Sequence, residues 1–148
     1  MDKRNFLTGM HGVIKLYECM LQDICKKYGL SLLEANIVSF LHNYPQNNTG
    51  GDIVEYRMIS KANVSKGVES LAEKGFLERK EDLQDRRKIR LILQAKAEPI
   101  TEEIEKMRGS FFAKAFSGFT EENKREYFRF NDMLVRNTKS AISQMLKD

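Results

Sequence analysis

The chain contains no tryptophan, two prolines and two cysteines in 148 residues. Two cysteines cannot build a disulfide scaffold, nor the paired clusters of a structural zinc site. So few prolines leave room for long helices and argue against a collagen-like or low-complexity chain. No apolar run reaches the roughly 18 residues needed to span a bilayer. Met1 to Leu7 lead into Thr8, Gly9, His11 and Gly12, so the start lacks the apolar stretch and small-residue cleavage site of a secretory signal. A cytoplasmic location with no membrane partner is the expectation. Catalytic signatures are missing too: there is no P-loop, GxGxxG, GxSxG or HExxH. His11 and His42 are far apart and belong to no His/Cys/carboxylate cluster. The expectation is no enzyme, no metal site and no cofactor.

What is present is helix-forming. Hydrophobic residues make up 41% and charged residues 31%, as suits a soluble folded domain rather than a disordered chain. The net charge is only +4, but it is local. Residues 60–90 hold nine Lys/Arg against six Asp/Glu, so this fifth of the chain carries +3 of the surplus. A basic segment of that kind is compatible with a nucleic-acid partner.

Phe6, Met10, Val13/Ile14, Tyr17, Leu21, Ile24 and Tyr28 recur at three- and four-residue steps, the stripe of one long helix ended by Gly29. Ser31 and Glu34 form a Ser-x-x-Glu capping box that opens a second helix, with Leu33, Ile37, Phe40 and Leu41 apolar and Tyr44-Pro45 at its end. Residues 46–51 (QNNTGG) read as a polar loop. Ile53, Val54 and Tyr56 mark a third, short helix. Ser60 caps a fourth, with Val64, Val68 and Leu71 inward and Gly75 at its end. Phe76-Leu77 and the run Ile89 to Leu93 then suggest two antiparallel strands joined by polar residues 80–87. Pro99 suits the first turn of a fifth helix with Ile100, Ile104, Met107, Phe111/Phe112, Ala115 and Phe116 on its apolar face, closed by Gly118. Thr120 caps the last helix, whose stripe runs from Tyr127 to Leu146. The predicted fold is mainly α with a small two-stranded wing, in the order α-α-α-α-β-β-α-α. The long terminal helices exceed what the central unit needs for cover, so a helical interface with a second copy is expected; the alternative is a monomeric bundle.

Residues 52–93 carry the functional signal. Two helices joined by a tight turn are followed by a hairpin, and the second helix begins Ser60-Lys61-Ala62-Asn63. A helix entering the major groove reads bases mainly with its first turns. Ser60, Asn63 and Ser65 offer short donors and acceptors between the cations Lys61 and Lys66; Asn suits adenine, Lys suits guanine or phosphate, and Ser suits phosphate. Gly67 costs a helix about 1 kcal/mol relative to alanine, which close approach to DNA or to a neighbouring helix would explain. The hairpin tip, Asp85-Arg86-Arg87-Lys88, places adjacent arginines where a narrow, electronegative minor groove would attract them. Asp85 is spaced to accept hydrogen bonds from the Arg87 guanidinium and hold its fork.

These residues resemble the MarR family of winged helix-turn-helix transcriptional regulators. The resemblance rests on Ile59-Ser60-Lys61-Ala62-Asn63-Val64-Ser65-Lys66, the exit Leu71-x-x-Lys74-Gly75-Phe76-Leu77, and DRRKIRLIL over 85–93. It implies one subunit over 1–148, with a DNA-binding part at 31–93 and a helical dimerisation part formed by 1–28 and 97–148. It further implies a homodimer on a pseudo-palindromic double-stranded operator, repression, and release by a small-molecule effector. Arg87 would enter the minor groove with Asp85 orienting it. Two places depart from the family pattern. Met58 stands where the turn usually has glycine, and Leu93 to Ala97 (LQAKA) replaces the usual Leu-Thr-x-x-Gly.

Some family members sense oxidants. Cys19 and Cys25 lie about 240° apart around a helix and cannot pair within it. Cys25 borders the apolar stripe and reads as core, Cys19 as exposed; peroxide-sensing relatives keep their cysteine near Phe6 and Leu7 of this chain. Tyr17, Phe40, Met107 and Phe111 suit either a ligand pocket or plain core. The rival to a regulator is a winged-helix adaptor whose basic stretch meets an acidic protein without specific DNA recognition.

Overall fold

A computed structural model describes residues 1–147; Asp148, the last residue of the expected 97–148 part, lies outside them. The helices are α1 (Phe6–Tyr28), α2 (Leu32–Asn43), α3 (Gly50–Arg57), α4 (Lys61–Glu73), α5 (Glu98–Ala115) and α6 (Glu121–Lys147). Between α4 and α5 lie β1 (Leu77–Glu81) and β2 (Ile89–Leu93). The order is the predicted one, with added 3-10 turns at Lys3–Asn5 and Ala95–Ala97. Two compact units divide the chain, Met1–Phe111 and Phe112–Asp148.

Local chemistry starts and stops the elements where the sequence suggests. Gly29 ends α1 in the left-handed region (φ 66°), and the Leu30 amide closes on the Cys25 carbonyl at 2.9 Å. Ser31 and Glu34 form their reciprocal capping box on α2. Ser60 Oγ accepts the Asn63 amide at 3.2 Å. In the second unit Thr120 Oγ1 accepts the Asn123 amide at 3.0 Å and opens α6. One boundary differs. The loop expected over 46–51 is shorter, because Thr49 and Asp52 make a second capping box and α3 begins at Gly50. Two glycines after a threonine look like a turn, yet the cap supplies the orphan amides that a helix start requires. The strands also extend further toward the tip, with Lys80 pairing Arg90 and Glu81 pairing Ile89. In place of Leu-Thr-x-x-Gly, Gln94 leads into the 3-10 turn that runs directly into α5.

The core of the first unit is built around α2. Leu21 of α1, Ile37 and Phe40 of α2, Ile53 of α3, Leu71 of α4 and Ile100 and Ile104 of α5 are essentially inaccessible. Tyr17 meets Phe111 edge-on at 5.3 Å, and Phe40 and Met107 join the same apolar cluster. Gly67 is explained by α2 as well: a Cβ there would stand 2.6 Å from Ile37 Cδ1. The glycine lets α4 approach α2 closely.

A buried carboxylate completes the junction. Glu34 accepts Lys74 Nζ at 2.9 Å, Ser70 Oγ at 3.1 Å and the Ser31 amide at 3.1 Å. Lys74 also donates to the Gly29 carbonyl at 2.8 Å. Burial pushes the Glu34 pKa up, but the hydrogen bonds from Lys74, Ser31 and Ser70 outweigh it and hold the carboxyl below its ordinary value. Cys25 is buried nearby, and burial, then the Glu34 charge, raise its thiol pKa, as befits an inert core cysteine. Cys19 is exposed.

Met58, in the turn between α3 and α4, has φ 54° and ψ 36° and is the one non-glycine residue with positive φ among those described. The departure from glycine leaves the turn intact but places a side chain in a conformation that disfavours one.

Two stability measurements follow. Glu34→Ala should cost about 2 kcal/mol in urea unfolding at neutral pH, since it takes the shared acceptor from Ser70 and Lys74 and removes half of the capping box. A lowered folded-state pKa stabilises above the unfolded value and is lost as pH falls through the folded one. The gap between variant and parent should therefore narrow below the ordinary glutamate pKa of about 4.3. Met58→Gly should stabilise by about 1 kcal/mol, seen as a Tm about 2–4 °C higher.

Candidate nucleic-acid interface

The first candidate surface is the outer face of α4. Val64, Gly67, Val68 and Leu71 point inward and are buried. The same helical period turns Lys61, Asn63, Ser65 and Lys66 outward, and all four are exposed, as is the capping Ser60. The Ser60 oxygen is engaged by the cap, which leaves its hydroxyl hydrogen to donate. Among the described residues, Lys61 and Lys66 make no ion pair and the side-chain carboxamide of Asn63 no hydrogen bond. Their polar groups are available to a partner.

The second surface is the wing. Strands β1 and β2 pair antiparallel with Leu77 opposite Leu93 and Arg79 opposite Leu91. Leu77 and Leu91 are buried and seat the base of the hairpin in the core. Beyond the base, backbone bonds shape the tip: the Asp82 amide reaches the Lys88 carbonyl at 3.0 Å, and the Lys88 amide reaches the Asp85 carbonyl at 3.0 Å. Asp85 Oδ1 accepts both the amide and Nε of Arg87, each at 3.1 Å, and Oδ2 accepts Nη2 at 3.4 Å. The side chain of Arg87 is nevertheless 91% exposed. An exposed arginine held by the residue two before it is presented to solvent in a defined direction, which is the arrangement expected from the spacing alone. The Arg87 guanidinium, then its amide, draws the Asp85 pKa below the usual aspartate value. Arg86 and Lys88 flank it, both exposed.

Sequence reasoning missed the support under the tip. Asp82 Oδ1 accepts the Gln84 amide at 2.8 Å and the Asp85 amide at 3.1 Å, while Oδ2 accepts Arg90 Nε at 2.7 Å. Arg90 Nη1 donates to Asn48 Oδ1 at 3.1 Å, and the Asn48 carbonyl accepts the Leu91 amide at 2.8 Å. A signal was available in part, since an aspartate two residues before Gln84 and three before Asp85 is an Asx-turn pattern. The link to Asn48, 42 residues away, had none.

The described residues contain no group of three or more His, Cys, Asp or Glu side chains able to hold a metal ion, and no helix long and apolar enough to cross a membrane.

Residues 28–88, from the end of α1 to the wing tip, match the sequence model of the MarR family. The match covers less than half of the chain and is a similarity to that family over the helix-turn-helix and the wing. Solved structures extend the likeness over the flanking helices as one of fold. A MarR protein from Peptoclostridium difficile DA00132 superposes with a TM-score of 0.83 at 17% identity, covering 95% of this chain and 92% of that one. A MarR transcriptional regulator from Methanosarcina mazei Go1 gives 0.78 at 18% identity, over 94% and 99%. The MepR–DNA complex of S. aureus gives 0.57 at 18% identity, over 80% and 90%. No curated protein sequence matches the chain.

The Asp82 pKa reports on the wing's support. The Gln84 amide, the Arg90 guanidinium and the Asp85 amide hold it at about 2, against an ordinary 3.8. Carboxyl NMR titration of Arg90→Ala should show it rising part of the way back, because the two amides remain. No movement would mean the ion pair is not formed in solution.

Proposed function

We propose that the chain works as a homodimer that binds a pseudo-palindromic operator and represses transcription by occupying a promoter. The observation that carries this reading is the pairing of Asp85 with an Arg87 left 91% exposed, on a wing that follows an unpaired basic helix face. Ser60, Lys61, Asn63, Ser65 and Lys66 would meet the major groove, with Arg86, Arg87 and Lys88 at the adjacent minor groove and backbone. Asp85 would spend its charge on Arg87 rather than on repelling phosphate. The MepR relative is a complex with DNA, which supports a nucleic-acid partner for this shape.

The dimer is supported by apolar surface. In the first unit the start of α1 exposes Phe6, Leu7, Met10, Val13 and Ile14. In the second, none of the described residues of α6 is buried, and Tyr127, Phe130, Met133, Leu134 and Ile142 are exposed. Apolar residues concentrated in this way mark an interaction surface, and a second copy is the partner the family resemblance supplies. Half-sites would then lie about 10 base pairs apart, or a multiple of that. Release by a small-molecule effector, and a cytoplasmic location, belong to the same proposal and rest on the family resemblance.

The test is selection of bound duplexes from a random pool, with affinity compared against scrambled DNA at two salt concentrations. An enriched inverted repeat is the expected outcome. On it, Arg87→Ala and Asn63→Ala should each weaken binding about tenfold or more, leaving the oligomer unchanged in sedimentation. Equal, salt-abolished binding of every duplex would instead favour an adaptor that meets an acidic protein.

A further inference from the structure

Most of the wing's cations face water: Arg79, Lys80, Arg86, Arg87 and Lys88 are exposed. Arg90 is different. Its side chain is 30% exposed, its Nε bonds Asp82 at 2.7 Å, and its Nη1 bonds Asn48 at 3.1 Å. Asn48 precedes α3 and is tied to β2 a second time through the Leu91 amide. From Asp82 the bonds continue through the Asp85 amide to the Asp85 carboxylate and so to Arg87. One connected series therefore runs from the loop before the helix-turn-helix to the tip of the wing.

A two-stranded ribbon alone is marginally stable and free to twist. Here the core holds only its base, at Leu77 and Leu91. The direction of Arg87 relative to α3 must come from something that spans the two, and the Arg90 fork does so. Its planar geometry, with Nε and Nη1 donating to different acceptors, is one a lysine ammonium cannot reproduce. We propose that Arg90 is a positioning residue for DNA binding: through Asp82 and Asp85 it sets where Arg87 stands, and through Asn48 it refers that position to the helix-turn-helix. This rests on the assignment of Arg87 as a DNA contact.

A wing free to wander must find the binding conformation among others, so apparent affinity falls by the fraction of time spent there. The experiment is a double-mutant cycle between positions 90 and 87. The probe is the duplex enriched by selection or, where none is enriched, a fixed duplex of mixed sequence at low salt. Arg87→Ala should weaken binding. Arg90→Ala should weaken it about tenfold in the parent, but by no more than about threefold in the Arg87→Ala background, where the side chain held through Asp85 is gone and only the flanking Arg86 and Lys88 remain to be placed. Arg90→Lys should behave as Arg90→Ala; a direct phosphate contact would be largely restored by lysine. Asn48→Ala removes the second acceptor without touching the wing's charge and should show the same non-additivity, which keeps the test open if the Arg90 variants fold poorly. Equal losses in both backgrounds, or parental affinity in Arg90→Lys, would overturn the positioning role while leaving the Arg87 contact standing. Unchanged binding by Arg87→Ala would overturn both.

Discussion

The carboxylate of Glu34 is the point on which the first unit depends. It serves as the second half of the α2 capping box and as the acceptor for Ser70 and Lys74 at the far end of α4. Lys74 in turn closes the α1 terminus through the Gly29 carbonyl. Three helix ends thus meet on one buried charge. An ion pair of this kind adds little net stability over an apolar substitute, because desolvation offsets much of the attraction. What it supplies is geometry: α4 must sit where Lys74 and Ser70 reach Glu34, and Gly67 lets it come that close to Ile37. The basic outer face of α4 is consequently displayed by a helix that has little freedom to roll or slide.

The wing follows the same logic with exposed groups. Acidic side chains on a surface proposed to meet DNA are a liability unless occupied, and both aspartates of the tip are occupied. Asp82 is filled by two backbone amides and Arg90, and Asp85 by Arg87. These pairs lie near water, where each is worth little as stability. Their contribution is to remove alternatives, so that a seven-residue connection at the end of a ribbon keeps one shape.

Much of this was legible from the chain. Helix starts at Ser31, Ser60 and Thr120 and the stop at Gly29 were readable because caps act over three or four residues. The Asp85–Arg87 pair was readable for the same reason, being only two residues apart. Gly50 was misread because a glycine pair signals a turn until the Thr49–Asp52 box is recognised. The partner of Gly67 stayed open between DNA and a helix, since only packing identifies what lies 2.6 Å from an absent Cβ. Met58 shows the converse: a missing glycine cast doubt on a turn that the surrounding packing enforces at φ 54°.

Local and periodic information, then, determined the element order, the inward faces of α2 and α4, the exposed basic face of α4 and the arginine at the wing tip. These follow from interactions within one or two turns of chain, where spacing in sequence is spacing in space. Tertiary structure alone decided which groups brace that surface. Glu34 finds Lys74 across 40 residues and Arg90 finds Asn48 across 42. Such pairs carry no periodicity and no fixed spacing, because the intervening chain can be any length that lets the core close.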